Sequence, residues 1–184
     1  MADSSDVQVA LTGNEGMVNV SLVLDVQVSS LTNVAQGAGR AFRIHHTDLQ
    51  KLLNVDPYLR SVLNLYISLR MNQLARNMAC ASFHTVEQRL ARWLLTTKKI
   101  ERIQMNFCSP RKMLYLMLGV RRESETQAAG ALQKKELISY GWGEIMLLNQ
   151  PGLEAAACGC YAADLAIFER AVVSQVPAQK PEMM

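Results

Sequence analysis

The hydrophobic rhythm of the chain changes once, near Asp56. Over residues 7–53 apolar residues come in short β-branched runs, VQVAL, VNVSLVL and the stretch around AFRI, broken by GNEG and QGAG. Such runs between turn-forming clusters predict three or four short strands. So few strands cannot close a sheet over a full core, so this segment is expected to be incomplete by itself. From Asp56 the period becomes 3.6. Asp56 can cap a helix and Pro57 suits its first position. Leu59, Val62, Tyr66, Leu69 and Gln73 then follow at alternating spacings of three and four, a heptad-like stripe. A helix running to about residue 82 exceeds the usual globular length, and its stripe favours pairing with a second chain.

Beyond it, Thr85 and Gln88 have the spacing of a capping box, and Leu90, Trp93 and Leu94 share the face that follows. Ser109 and Pro110 open another helix that Gly119 ends, Arg122 to Lys135 forms the next, and LISYGWGEIMLL reads as a hairpin turning at Gly141-Trp142-Gly143. Helix, short turn, helix and β-wing make a winged helix-turn-helix. Residues 151–173 read as one further helix, and VPAQKPEMM as a frayed tail. The expected organisation is therefore α+β: strands over 1–55, a dimerisation helix over 56–82, a winged helix-turn-helix over 83–173 and a flexible tail over 174–184.

Charge sharpens this division. Residues 56–150 carry 14 Lys/Arg against 7 Asp/Glu, a local +7, whereas the remainder carries 5 against 9. A nucleic-acid surface belongs on the basic part. No apolar run approaches the ~18 residues of a membrane span, and the start has neither a basic nor an apolar signal region, so a cytoplasmic protein with no membrane partner is expected. Cys80, Cys108, Cys158 and Cys160 form no zinc-finger or disulfide framework. Cys158 and Cys160 fall in a stretch that reads as helix, where positions two apart point in different directions. They are expected as small buried thiols, with no metal.

The runs HTVEQRLARWLL and LGVRRESETQAAGALQKKELISYGWGEIMLLNQPGLEAAACGCY resemble the DNA-binding end of the Crp–Fnr regulators. GNEGMVNVSLVLDVQVSS and GRAFRI resemble the later strands of that family's cyclic-nucleotide-binding-like β-roll, with the first strands expected to be missing. The resemblance implies a homodimer on a palindromic site in double-stranded DNA, with RNA polymerase as a further partner. It places Arg122, Glu123 and Gln127 at the base-reading positions, suited to guanine, cytosine and adenine edges. Arg111, Lys112, Arg121 and Lys134 are candidate phosphate contacts, which fix register without reading sequence. Relatives that bind cyclic nucleotides place an Arg against the phosphate; here SSLTNVAQGAG offers Thr32 and Asn33 instead, so cyclic AMP is not expected. Arg40 and Arg43 read as surface residues. His45 and His46, adjacent in an expected strand, would point to opposite faces. No cofactor is assigned.

Two positions depart from the helix-turn-helix pattern. The residue four before Gly119 is commonly small and the one six after it β-branched, because they pack at the helix crossing. Here they are Tyr115 and Glu125. A buried carboxylate needs a partner, and a Tyr115 hydroxyl donating to Glu125 would supply one; otherwise the unit is eroding. Arg121 stands where a capping Ser is usual, and Arg111 and Lys112 occupy a first turn where acids suit the dipole better. The reading is a non-catalytic, sequence-specific DNA-binding transcription regulator. The alternatives are a truncated dimerisation partner that does not bind DNA, and a redox sensor using Cys158 and Cys160. Three histidines without Cys or Asp at motif spacing, and no phosphate loop, give little support to an enzyme.

Overall fold

The computed structural model describes residues 7–14, 16–35, 39–101, 107–108, 111–141 and 144–175, with the backbone alone at 99–101, 107–108, 111–113, 144 and 171–175. In chain order the elements are a 3-10 helix Val20–Leu24, α1 His46–Val55, α2 Pro57–Phe83, α3 Val86–Glu101, β1 Phe107–Cys108, α4 Arg111–Leu118, α5 Arg122–Lys134, β2 Ile138–Gly141, β3 Glu144–Leu147, α6 Gln150–Ala156 and α7 Cys160–Gln175. The class is α+β, mostly helical. No described helix is long and apolar enough to cross a membrane.

Two compact units form, one from the described residues of 17–72 and 162–184, the other from those of 1–16 and 73–161. In the first, Val23, Leu49 and Leu53 are buried, with Met17, Leu22, Leu59, Leu63 and Ile67 packed around them. The strands expected over residues 7–53 are not formed among the described residues: the 3-10 helix falls on VNVSLVL, α1 follows AFRI, and the described residues between are irregular. The physical reason is the one the pattern itself contains. Isolated strands leave edge N–H and C=O groups unpaired, whereas a helix satisfies its own. His45 caps α1 by accepting from the Thr47 N–H at 3.4 Å, and apolar Leu49 and Leu53, four apart, bury one face. Asp56 separates α1 from α2 and caps the latter, its Oδ1 accepting from the Leu59 N–H at 2.9 Å.

The second unit holds the larger core: Leu90, Leu94 and Leu95 of α3, Leu114 and Leu118 of α4, Ala128, Ala129 and Leu132 of α5, Ile138 and Ile145 of the sheet, and Leu153 of α6. The capping box forms as its spacing implies: the Thr85 N–H donates to Gln88 Oε1 at 3.1 Å and the Gln88 N–H to Thr85 Oγ1 at 3.3 Å. The sheet has the order β1-β3-β2 and is antiparallel, with Ile138 opposite Leu147, Tyr140 opposite Ile145, and Phe107 opposite Ile145 on the other side. Pairing of β1 was not legible in the chain pattern. Trp142 and Gly143, at the hairpin tip, and Ser109 and Pro110, before α4, lie outside the described residues.

The C-terminal stretch is not one helix. α6 ends at Ala156, Ala157 is extended (φ −72°, ψ 157°), and α7 restarts at Cys160. Gly159 lies at this break, which changes where the neighbouring cysteines point.

Candidate nucleic-acid interface

α4 and α5 meet at a tight turn. Gly119 has φ +61°, the left-handed conformation that a side chain disfavours. Its N–H donates to the Leu116 carbonyl at 3.2 Å and the Val120 N–H to the Tyr115 carbonyl at 3.0 Å, closing the end of α4. A Cβ at Gly119 would lie 2.9 Å from Val7 Cγ2, so the turn is also the floor on which the N-terminal segment rests. Nη2 of Arg89, on α3, donates to the Leu118 carbonyl. A guanidinium there suits the negative end of α4.

α5 divides cleanly by face. At about 100° per residue, Glu125, Ala128, Ala129 and Leu132 fall on one arc, and all four are buried. The small side chains of Ala128 and Ala129, the latter fully buried, let α3 and α4 pack closely on α5. Arg122, Glu123, Thr126 and Gln127 fall on the opposite arc and are exposed. Three of these are the base-reading candidates, brought together on one solvent face in the first turns of α5; Thr126 was not singled out from sequence. Arg121 sits at the N-cap with extended backbone and no side-chain cap. Lys134 is exposed in the last turn. The side chains of Arg111 and Lys112 lie outside the described residues, their backbone opening α4.

Glu125 is 1 % exposed, as its place on the inner arc implied. Its partner is not Tyr115. The Tyr140 hydroxyl, reaching from β2, donates to Glu125 Oε1 at 3.1 Å. Thr126 Oγ1 stands 3.5 Å from Oε2 but lies closer, at 3.0 Å, to the Arg122 carbonyl, so its single proton serves the helix. The expected Tyr115–Glu125 pair is thus replaced by a bond between α5 and β2. Sequence spacing across one helical turn could not show this, because Tyr140 is brought close only by the β2–β3 pairing.

α2 carries the dimer-stripe candidates. Leu59 packs on the smaller core, the Tyr66 hydroxyl donates to the Met17 carbonyl at 3.1 Å, and Val62, Leu69 and Gln73 are half-buried. Besides Tyr58 and Phe83 at its two ends, the large apolar residues left open on this helix are Met71, Leu74 and Met78, at 66 %, 39 % and 74 % exposure. They follow Ile67 at spacings of four, three and four, the same heptad rhythm shifted to another face.

The second unit also gathers sulfur. Cys80 Sγ lies 3.5 Å from Cys158 Sγ, and Cys160 Sγ lies 3.7 Å from His84 Nδ1. Cys80 and Cys158 are buried, at 2 % and 4 % exposure. Burial, and then the bond with Cys80, push the Cys158 thiol up to about 12; burial raises Cys160 as well. The expectation of thiols pointing apart on one helix is corrected here. The break at 157–159 removes the helical geometry on which it rested.

Residues 88–156 match the Crp-like helix-turn-helix domain. By sequence, no curated protein matches the chain. Among solved structures, FixK2 from Bradyrhizobium japonicum is similar with a TM-score of 0.55 at 18% identity, over 63% of this chain and 60% of that one. A protein from Eubacterium rectale assigned to the Crp/Fnr family of transcriptional regulators follows at a TM-score of 0.49 and 18% identity, over 60% of this chain and 51% of that one. The chain thus spans 60% of the FixK2 chain it resembles in fold.

Proposed function

We propose that this chain, whose residues 88–156 are a Crp-like helix-turn-helix domain, is a transcription regulator that binds double-stranded DNA as a homodimer on a palindromic site. One observation carries the reading. A helix packed on one arc by the domain core leaves Arg122, Glu123, Thr126 and Gln127 open on the other, the residue types whose donors and acceptors match base edges in the major groove. Arg121 and Lys134, both exposed, are suited to the flanking phosphates, and Arg111 and Lys112 belong to the same group by sequence. Dimerisation through α2 is supported by the uncovered Met71, Leu74 and Met78 beside the half-buried stripe. A second chain there would bring two recognition helices to two half-sites, as helix-turn-helix dimers require. No catalysis is assigned.

The test is fluorescence anisotropy with a labelled palindromic pool across a salt series. Binding that weakens steeply with salt is expected. Lys134→Ala should weaken binding to all sequences alike and lower the salt slope by about 1, whereas Arg122→Ala should cost about 1–3 kcal/mol and relax preference at one base position. Absence of salt-dependent binding at micromolar dimer refutes the reading. It would favour a dimerisation partner that does not engage DNA.

A further inference from the structure

We propose that Cys80, His84, Cys158 and Cys160 form a closed Cys3His site for one zinc ion. The inference stands apart from DNA binding and rests on how the second unit places four soft ligands. One ligand atom from each of the four residues lies within 4.8 Å of all the others. Zinc binds thiolate at ~2.3 Å and imidazole at ~2.0–2.1 Å in a tetrahedron, which puts neighbouring ligand atoms roughly 3.5–3.8 Å apart. The Cys80–Cys158 and Cys160–His84 separations, 3.5 and 3.7 Å, already fall near that range. Movements of an ångström or less at the remaining edges complete the cage.

The local structure explains how the ligands converge. Cys80 lies in the last turn of α2, and the His84 N–H donates to the Cys80 carbonyl at 3.1 Å. The two are therefore i and i+4 on one face. Cys158 and Cys160 flank the glycine at the α6–α7 break, where the chain wraps around a point rather than along a helix axis.

Charge fits the same reading. Three thiolates and a neutral imidazole around Zn²⁺ leave a net charge of −1. Burial raises the Cys160 thiol, and the Arg92 guanidinium, its Nη2 held by Asn77 Oδ1 at 2.7 Å, partly opposes that rise. Binding releases the three thiol protons to solvent with no change of oxidation state, Zn²⁺ replacing them as the counterion. Four protein ligands leave no open position for a substrate, so the site is structural rather than catalytic. It pins the end of α2 to the segment that closes the helix-turn-helix domain. A Cys80–Cys158 disulfide is the competing use of the same pair, but it leaves the convergence of Cys160 and His84 unaccounted for.

The full-length chain, purified under reducing conditions, should carry about one zinc per subunit by plasma mass spectrometry. Replacement by Co²⁺ should give the intense visible bands of a tetrahedral ion and a near-ultraviolet thiolate charge-transfer band. Cys160→Ser and His84→Asn, at half-buried positions, should each weaken cobalt binding by more than about 100-fold, beyond the loss from changing a residue that only supports a ligand. Cys108→Ser should leave it unchanged. Weak or octahedral cobalt spectra in the wild-type protein would overturn the site. So would full binding by either variant, or conversion of Cys80 and Cys158 to a disulfide while zinc is in excess. The wild-type spectrum decides the question even where a variant fails to fold, and none of these readouts depends on DNA.

Discussion

Removing the Tyr140 hydroxyl isolates the contact between β2 and α5. Tyr140→Phe keeps the ring and deletes the donor 3.1 Å from Glu125 Oε1. Glu125 is 1 % exposed, so water cannot replace that donor without opening the domain. The nearest other donor, Thr126, is engaged with the Arg122 carbonyl at 3.0 Å. A bond to a charged group is worth about 1.5–3 kcal/mol, and a buried group left unsatisfied costs a similar amount. A unit of this size shifts its midpoint by about 4–8 °C per kcal/mol, so a fall of roughly 10 °C is expected in a melt followed by far-ultraviolet circular dichroism. Adding Glu125→Leu should recover most of that loss, because removing both partners is far less costly than removing one. Tyr115→Phe should change the melt little, within about 0.5 kcal/mol. The reasoning fails if Tyr140→Phe melts within 2 °C of wild type on that same scale, or if Tyr115→Phe has the larger effect.

Other consequences are local. Gly119→Ala forces a side chain into φ +61° and against Val7, so about 1–2 kcal/mol should be lost in chemical denaturation; an unchanged midpoint would contradict the turn geometry. Glu136 holds φ +56° after α5, with the Leu137 N–H donating to the Leu132 carbonyl at 3.1 Å, so Glu136→Gly should stabilise by roughly 0.5–1 kcal/mol, and a loss would count against it. Thr85→Ala breaks the capping box and should cost about 1 kcal/mol by the same measurement. In metal-free protein the neutral Cys158 thiol is the folded form. Its pKa rises from 9.0 to about 12, so its contribution is intact below pH 9 and is lost as pH climbs toward 12. Melts in chelator should therefore fall over that window, and iodoacetamide labelling of Cys158 near neutral pH should be slow; rapid labelling would refute the burial argument.

Much of this protein was legible along the chain because the signals are local. Asp56 and Pro57 mark the start of α2, Thr85 and Gln88 cap the next helix, Gly119 ends α4, and the inner arc of α5 follows from period 3.6 alone. Each depends on residues within a turn or two of one another, where hydrogen-bond geometry and side-chain direction are fixed by the element itself. The face of α5 left for Arg122, Glu123 and Gln127 follows from the same periodicity.

The rest depended on separations that sequence does not measure. Alternating apolar residues before Asp56 read as strands, but no pairing partner stands there among the described residues; only Val20–Leu24 and His46–Val55 close local helical bonds, and the rest of the described segment is irregular. Glu125 was recognisable as a buried carboxylate, but only the wing pairing brought Tyr140 rather than Tyr115 to it. Cys158 and Cys160 read as divergent so long as their segment was one helix. The break at 157–159 turns them toward Cys80 and His84, more than 70 residues away in the chain. Periodicity fixes the faces of single elements, whereas the partners of buried polar and sulfur atoms are settled only when separate elements pack together.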